Sequence, residues 1–325
     1  MEPRLIPLNA VIAMYSNTKT SWPRPFFEAG YRLEGLELPI RLADDSKVTA
    51  DAIGFRRETN SFQMHESKSG ANVEVAQAQR YFRASPTYLV TALSVTIESQ
   101  QPLSAQTTYA CLRENEERIL LGLSEAKVNV PVLSVGPNDV TAVGAPIDDP
   151  VLRDLFANPV VVPGAPPGVI TVDADSPDEE FDRVVFPSLV AAMAQDRENI
   201  SMVALAEEAL PYYAIYPAPY RGRLRKKVAS AARRAAEADS QHLEYRPPTN
   251  AEPDGLIRIL ATPEQADPRG RTQQYQAIQG RLGGGNRRAR RAEIEGQGNL
   301  FAAADLEQEL DSAKPVANDD RGEEI

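Results

Sequence analysis

The chain has 325 residues with a formal net charge of −11, room for two domains with proper cores. Its single cysteine, Cys111, excludes an internal disulfide and a cysteine-ligated zinc site, and with only His65 and His242 imidazole metal chemistry has little to draw on. No apolar run nears the roughly 20 residues that span a bilayer, and the opening MEPRLIPLNA lacks a signal-peptide pattern, so a cytoplasmic protein without membrane association is expected.

Taken in chain order, Pro25 to Leu33 (PFFEAGYRL) is predicted as a helix carrying Glu28. Lys47 to Phe55 alternates as a strand and holds Asp51, Arg57 to Ser61 is a polar turn, and Phe62 to Lys68 is a second strand. Side chains alternate along a strand, so Glu66 and Lys68 share a face with Phe62 and Met64. A solvated strand edge is the plain alternative, but the apolar pair implies a face at least partly covered. Two acids and an ammonium beside apolar side chains are costly to hold together unless a divalent cation offsets them. Val73 to Ala84 has helical spacing and carries Gln77 and Tyr81 one turn apart. Pro86 stops it, and Tyr88 to Ile97 (YLVTALSVTI) is predicted as a buried strand. A helix near Glu114 to Ser124 and a strand at Val130 to Val135 extend the same α/β pattern.

The ordered set of Asp51, Glu66-Ser67-Lys68 and Gln77 with Tyr81 resembles the PD-(D/E)XK nuclease superfamily. The closest likeness is to its branch with a Gln-x-x-x-Tyr helix, found in RecB-like and restriction-type enzymes. Ala50 stands where the pattern often has proline, and fourteen residues separate Asp51 from Glu66. The resemblance implies a restriction endonuclease-like core over residues 1–145, a mixed central sheet flanked by helices. It implies DNA phosphodiester hydrolysis with Mg2+ (or Mn2+) held by Asp51, Glu66 and the main-chain carbonyl of Ser67. Lys68 would orient or help deprotonate the attacking water, while Gln77 and Tyr81 position the strand or touch the phosphate backbone. Glu28 is a candidate third acid, or equally a solvent-facing one.

Residues 146–175 read as a linker, and the chain changes character at Ser176. Ser176-Pro177-Asp178-Glu179 has the form of a capping box, with apolar periodicity through Leu189 and Met193 that Pro187 would divide. Ser201 to Leu210 and Gly222 to Ala238 are two further helices, followed by strands at His242 to Arg246 and Leu256 to Leu260. Three helices and a hairpin over 176–262 resemble a winged helix-turn-helix, whose third helix enters the major groove. That helix carries Arg221, Arg223, Arg225, Lys226, Lys227, Arg233 and Arg234, with Arg246 and Arg258 on the wing. Contact with DNA phosphates is the expected use; a solvated helix exterior is the alternative. Charge is uneven in the same sense: residues 219–300 carry a net +7 and residues 301–325 a net −6.

Residues 263–325 lose apolar periodicity and are expected to form a disordered tail, basic around Arg281 to Arg291 and acidic at the end. Within it Gln297, Leu300 and Phe301 resemble the Gln-x-x-Leu-Phe peptide with which bacterial DNA-processing proteins dock on the sliding clamp. An amphipathic helix from Leu300 to Leu310 folding back on the body is the alternative. The function expected is a metal-dependent endonuclease in phage defence, restriction or mobile-element processing. A non-cleaving DNA-binding regulatory or assembly factor, or the end-cleaving endonuclease subunit of a transposon, is the alternative.

Overall fold

Ile6–Met14 forms the first helix, α1, in which every residue from Pro7 to Met14 is buried. Its proline lies in the first turn, where the missing N–H has no intrahelical partner to lose. The computed structural model describes residues 2–18, 21–98, 100–250 and 253–260, together with 277, 278 and 280. The helix expected from Pro25 to Leu33 is a single turn, α2 (Pro25–Glu28). Gly30 takes φ 91°, the Tyr31 N–H returns to the Phe26 carbonyl at 2.9 Å, and the chain turns at once into β1 (Arg32–Arg41).

β1, β2 (Lys47–Arg56) and β3 (Ser61–Lys68) form an antiparallel meander. α3 (Val75–Phe82) follows, and then the apolar run from Tyr88 departs from expectation: it is a helix, α4 (Pro86–Leu93), not a strand. Ser85 is extended, Pro86 occupies the first turn, and Ser94 at φ 54° closes the helix in the left-handed region. An apolar run of that length is equally compatible with either period. The next strand is β4 (Ser104–Leu112), parallel to β3, and beyond α5 (Glu116–Glu125) comes β5 (Pro131–Val135), parallel to β4. β6 (Asp139–Gly144), α6 (Pro150–Leu155) and β7 (Val160–Val161) complete a mixed seven-stranded sheet in the order β1 to β7. The segment read as a linker thus contributes a helix capped by Asp149 and an edge strand. Its last part is fastened to α1, because the Asn9 side chain donates to the Ile170 carbonyl at 2.8 Å and accepts from the Ile170 N–H at 2.7 Å.

Ser176 does not cap the next helix. Its hydroxyl joins a network with Asp173 and Arg4, and a 3-10 turn, Asp178–Phe181, leads into α7 (Asp182–Ala194), which runs unbroken through Pro187. Next come β8 (Asn199–Ser201), α8 (Met202–Ala209), α9 (Ala218–Ala238), β9 (Leu243–Arg246) and β10 (Leu256–Ile259). The three strands form an antiparallel sheet in the order β8-β10-β9. One apolar cluster runs from α1 and Phe26 through Val172 to Leu189, Leu205, Val228 and Ile257, so both halves of the molecule share a core. Ile278, inside the segment read as a disordered tail, is buried in that cluster. Among the described residues no helix is long and apolar enough to cross a membrane.

Candidate active site

Strand register assembles the site. Leu36 pairs with Ala52 and Leu38 with Ala50, which leaves Glu37 opposite Asp51. Ala52 pairs with His65, so the next position sets Asp51 beside Glu66, and Glu66 itself pairs with Tyr109 on β4. Directly opposed residues share a face, so Glu37, Asp51, Glu66 and Tyr109 form a row across four strands.

Asp51, Glu66, Lys68, Gln77 and Tyr81, singled out in the sequence, come together at this row. Asp51 Oδ2 accepts the Ser67 N–H at 2.6 Å, and Glu66, 4% exposed, takes the Lys68 ammonium at 2.6 Å on Oε1. Lys68 Nζ also donates to Gln77 Oε1 at 3.0 Å, reaching from β3 to the first turns of α3. One turn later the Tyr81 hydroxyl contacts Glu66 Oε2 and the Thr49 carbonyl. The strand period sets Glu66 and Lys68 side by side, and the helical period sets Gln77 and Tyr81 above them.

The electrostatics are unbalanced. Burial raises the Asp51 carboxyl well above the usual range, and the neighbouring charges of Glu66 and Glu37 raise it further, against the Ser67 N–H and Lys68. Glu37 is pushed up to about 7, first by burial and then by the carboxylates of Asp173 and Glu66, while Arg223 opposes the shift. Burial likewise raises the Tyr81 hydroxyl, with Glu66 and Asp51 adding to it. Glu37 also has φ 50°, left-handed backbone for a non-glycine residue within a strand, a geometry held only by its surroundings. Sequence reasoning missed Glu37, which lies in the alternating stretch LEGLELPI that was not assigned as a strand.

No known family, curated protein or solved structure matches this chain. Carboxylate and main-chain oxygens are hard donors that suit Mg2+ or Mn2+. Three acids in the row face one ammonium, and the buried hydroxyl of Tyr109, opposite Glu66, lacks a hydrogen-bond partner. Both observations fit a cation at Asp51 and Glu66. Among the described residues no group of three or more His, Cys, Asp or Glu side chains is arranged as a finished ligand set, so solvent and substrate oxygens would complete the shell. Glu28 ends α2 as an exposed side chain, and the carboxylates that raise Asp51 are Glu66 and Glu37.

The cations expected to face DNA divide into two groups. Lys227 donates to the Ser176 carbonyl at 2.6 Å and to Asp178 at 3.0 Å, and Arg234 holds Asp182 at 2.6 Å and the Asp178 carbonyl at 2.7 Å. These two fasten α9 to the turn before α7. Arg225 pairs with Asp254 at 2.5 Å, Arg233 with Glu237 at 3.7 Å, and Arg246 and Arg258 with Glu244 at 3.2 and 3.9 Å. Arg221 and Lys226 form no ion pair among the described residues, and Lys226 is exposed. Arg223 lies 3.8 Å from Asp175, with its guanidinium over the Tyr220 ring. Gln297, Leu300 and Phe301 lie outside the described residues.

Proposed function

We propose that this chain is a metal-dependent endonuclease of the PD-(D/E)XK type that hydrolyses DNA phosphodiester bonds. The observation that carries the reading is the hydrogen-bonded group of Glu66, Lys68, Gln77 and Tyr81, with Asp51 on the neighbouring strand accepting the Ser67 N–H between Glu66 and Lys68. Asp51 and Glu66 would hold Mg2+ or Mn2+, with the Ser67 main chain beside them. When bound, the cation would polarise the scissile phosphate and lower the pKa of a bound water. Lys68 is close enough to Glu66 to serve whatever Glu66 holds: it would orient the attacking water and balance negative charge developing on the phosphate. Gln77 fixes the ammonium, and Tyr81 fixes the Glu66 rotamer, so both act by positioning.

The C-terminal half is read as a winged-helix DNA-binding module. What supports this is its order of helix, strand, helix, helix, strand, strand, with the early β8 adding to the hairpin beside β10. Its phosphate contacts are assigned to Arg221, Arg223 and Lys226, not to Lys227 and Arg234, whose charges are engaged inside the protein. Incubating the full chain with single-stranded, duplex and branched DNA in Mg2+ or Mn2+ tests the reading. Strand scission that stops in chelator is expected; intact DNA in every arm removes the assignment.

A further inference from the structure

Beside the catalytic row lies a cleft that the proposed chemistry leaves unused. Met64 of β3 and Thr107 of β4 pair across the sheet one same-face step before Glu66 and Tyr109, which also pair. Both line a cleft of about 220 Å3, together with Tyr81, Phe82, Asn129 and Asp148. Tyr81 belongs to both places, because its hydroxyl contacts Glu66. Phe82, the next residue of α3, lines the cleft and is 64% exposed. Asn129 is exposed too, and its amide makes no hydrogen bond among the described residues. A second cleft, of about 350 Å3, shares Asn129 and Val130 with the first and adds Lys127. Lys127 takes φ 56° just past α5, and the Val128 N–H, bonded to the Leu123 carbonyl at 2.9 Å, fixes that turn. The Lys127 side chain is exposed and forms no ion pair among the described residues.

An uncovered ring, polar groups for a base edge and a free cation are the parts with which proteins hold single-stranded nucleic acid. The first cleft is smaller than the roughly 300–1,000 Å3 of sites that enclose a whole ligand, and one planar base is what it can take. Asp148 in its lining repels a phosphate but accepts a hydrogen bond from the exocyclic amino group of a base. The phosphate is left to Lys127, whose ammonium has no carboxylate competing for it. We propose that the paired clefts bind one unstacked nucleotide of the DNA strand being cut, with its base against Phe82 and the neighbouring phosphate on Lys127. Tyr81 joins this site to Glu66, so the bound nucleotide flanks the scissile phosphate. This rests on the nuclease reading above, and it favours a strand whose bases are free to leave the stack over an intact duplex.

The test compares the full-length parent with F82A, F82L and K127A. Affinity is measured in Ca2+ over a salt series, for a single-stranded DNA and for a strand of equal length whose sugars carry no bases. Folding is followed by thermal unfolding. The parent should bind the base-bearing strand about tenfold tighter or more, and F82A should shrink that ratio about tenfold with melting unchanged. K127A should weaken binding to both strands alike and flatten the salt slope by about 0.7 of a unit. A parental ratio in F82A, or an equal loss on both strands, overturns the base site, and parental binding by K127A overturns the phosphate contact. If F82A melts early, F82L, which keeps bulk without the ring, is read in its place, and a parental ratio there overturns the proposal. A parent that binds no single-stranded DNA overturns it as well. Cleavage in Mg2+ separates this from the nuclease reading. A parent whose ratio depends on Phe82 but that never cuts keeps the base site and removes the nuclease; a parent that cuts while F82A keeps the parental ratio does the reverse.

Discussion

At the scale of single residues, the site is a balance between carboxylates that repel one another and the few donors that hold them. Under the proposed function, Gln77 and Tyr81 act through Lys68 and Glu66 without touching the substrate. Gln77→Ala frees the Lys68 ammonium from its 3.0 Å contact, and Tyr81→Phe removes the hydroxyl that contacts Glu66 and the Thr49 carbonyl. Each should slow cleavage by roughly 10- to 100-fold, the usual effect of losing a partner that orients a ligating group. Saturation kinetics would read this as a fall in the maximal rate with DNA affinity retained; parental rates would show that the helix contacts are ornamental. Glu37 supplies a second test, without any substrate. Its folded-state pKa of about 7 lies above its ordinary 4.5, so between these values the native state holds more protons than the unfolded chain. Stability must then fall as pH rises through that window. Glu37→Gln should abolish its share, on the order of 2 kcal/mol, and melt higher than the parent at pH 8 in chelator. An unchanged pH profile of melting in the variant would contradict the electrostatic picture of the row.

At the scale of elements, α9 carries two sets of cations, one bonded inside the protein and one that the proposed function assigns to DNA phosphates. Arg234 is 29% exposed and makes hydrogen bonds to Asp182 and the Asp178 carbonyl, so Arg234→Ala should cost about 1–3 kcal/mol in urea unfolding. Lys226→Glu should shift stability by less than about 0.5 kcal/mol while weakening DNA binding and flattening its salt dependence. Equal stability losses in the two variants would erase the distinction. The sequence alone did not separate them, because a run of Arg and Lys on a helix has the same pattern whether its partners are phosphates or Asp178 and Asp182. The strands bearing Asp51 and Glu66 and the helix bearing Gln77 were legible, since alternation and helical spacing specify which side chains share a face. α4 was misread because an apolar run between Pro86 and Ser94 has no periodicity that separates helix from strand. Glu37 was missed for a different reason: its aim depends on a φ of 50° and on register with Asp51, and no local pattern announces either.

At the scale of the molecule, one apolar cluster joins α1, the strap around Ile170 to Val172 and the helices of the C-terminal half. Asn9 and Arg4 reinforce this seam through Ile170 and Asp173. The two halves should therefore unfold in a single transition by calorimetry and by denaturant, with coincident probes. Two resolved transitions, or a stable fragment ending near residue 175, would show that the shared core contributes little. The most direct measurement of the central claim is DNA cleavage by parent, D51N, E66Q and K68A prepared identically and compared in Mg2+ or Mn2+. The account predicts that the parent cuts in a metal-dependent manner and that each variant, folded and still able to bind DNA, does not. Cleavage by all three variants at the parental rate would contradict it.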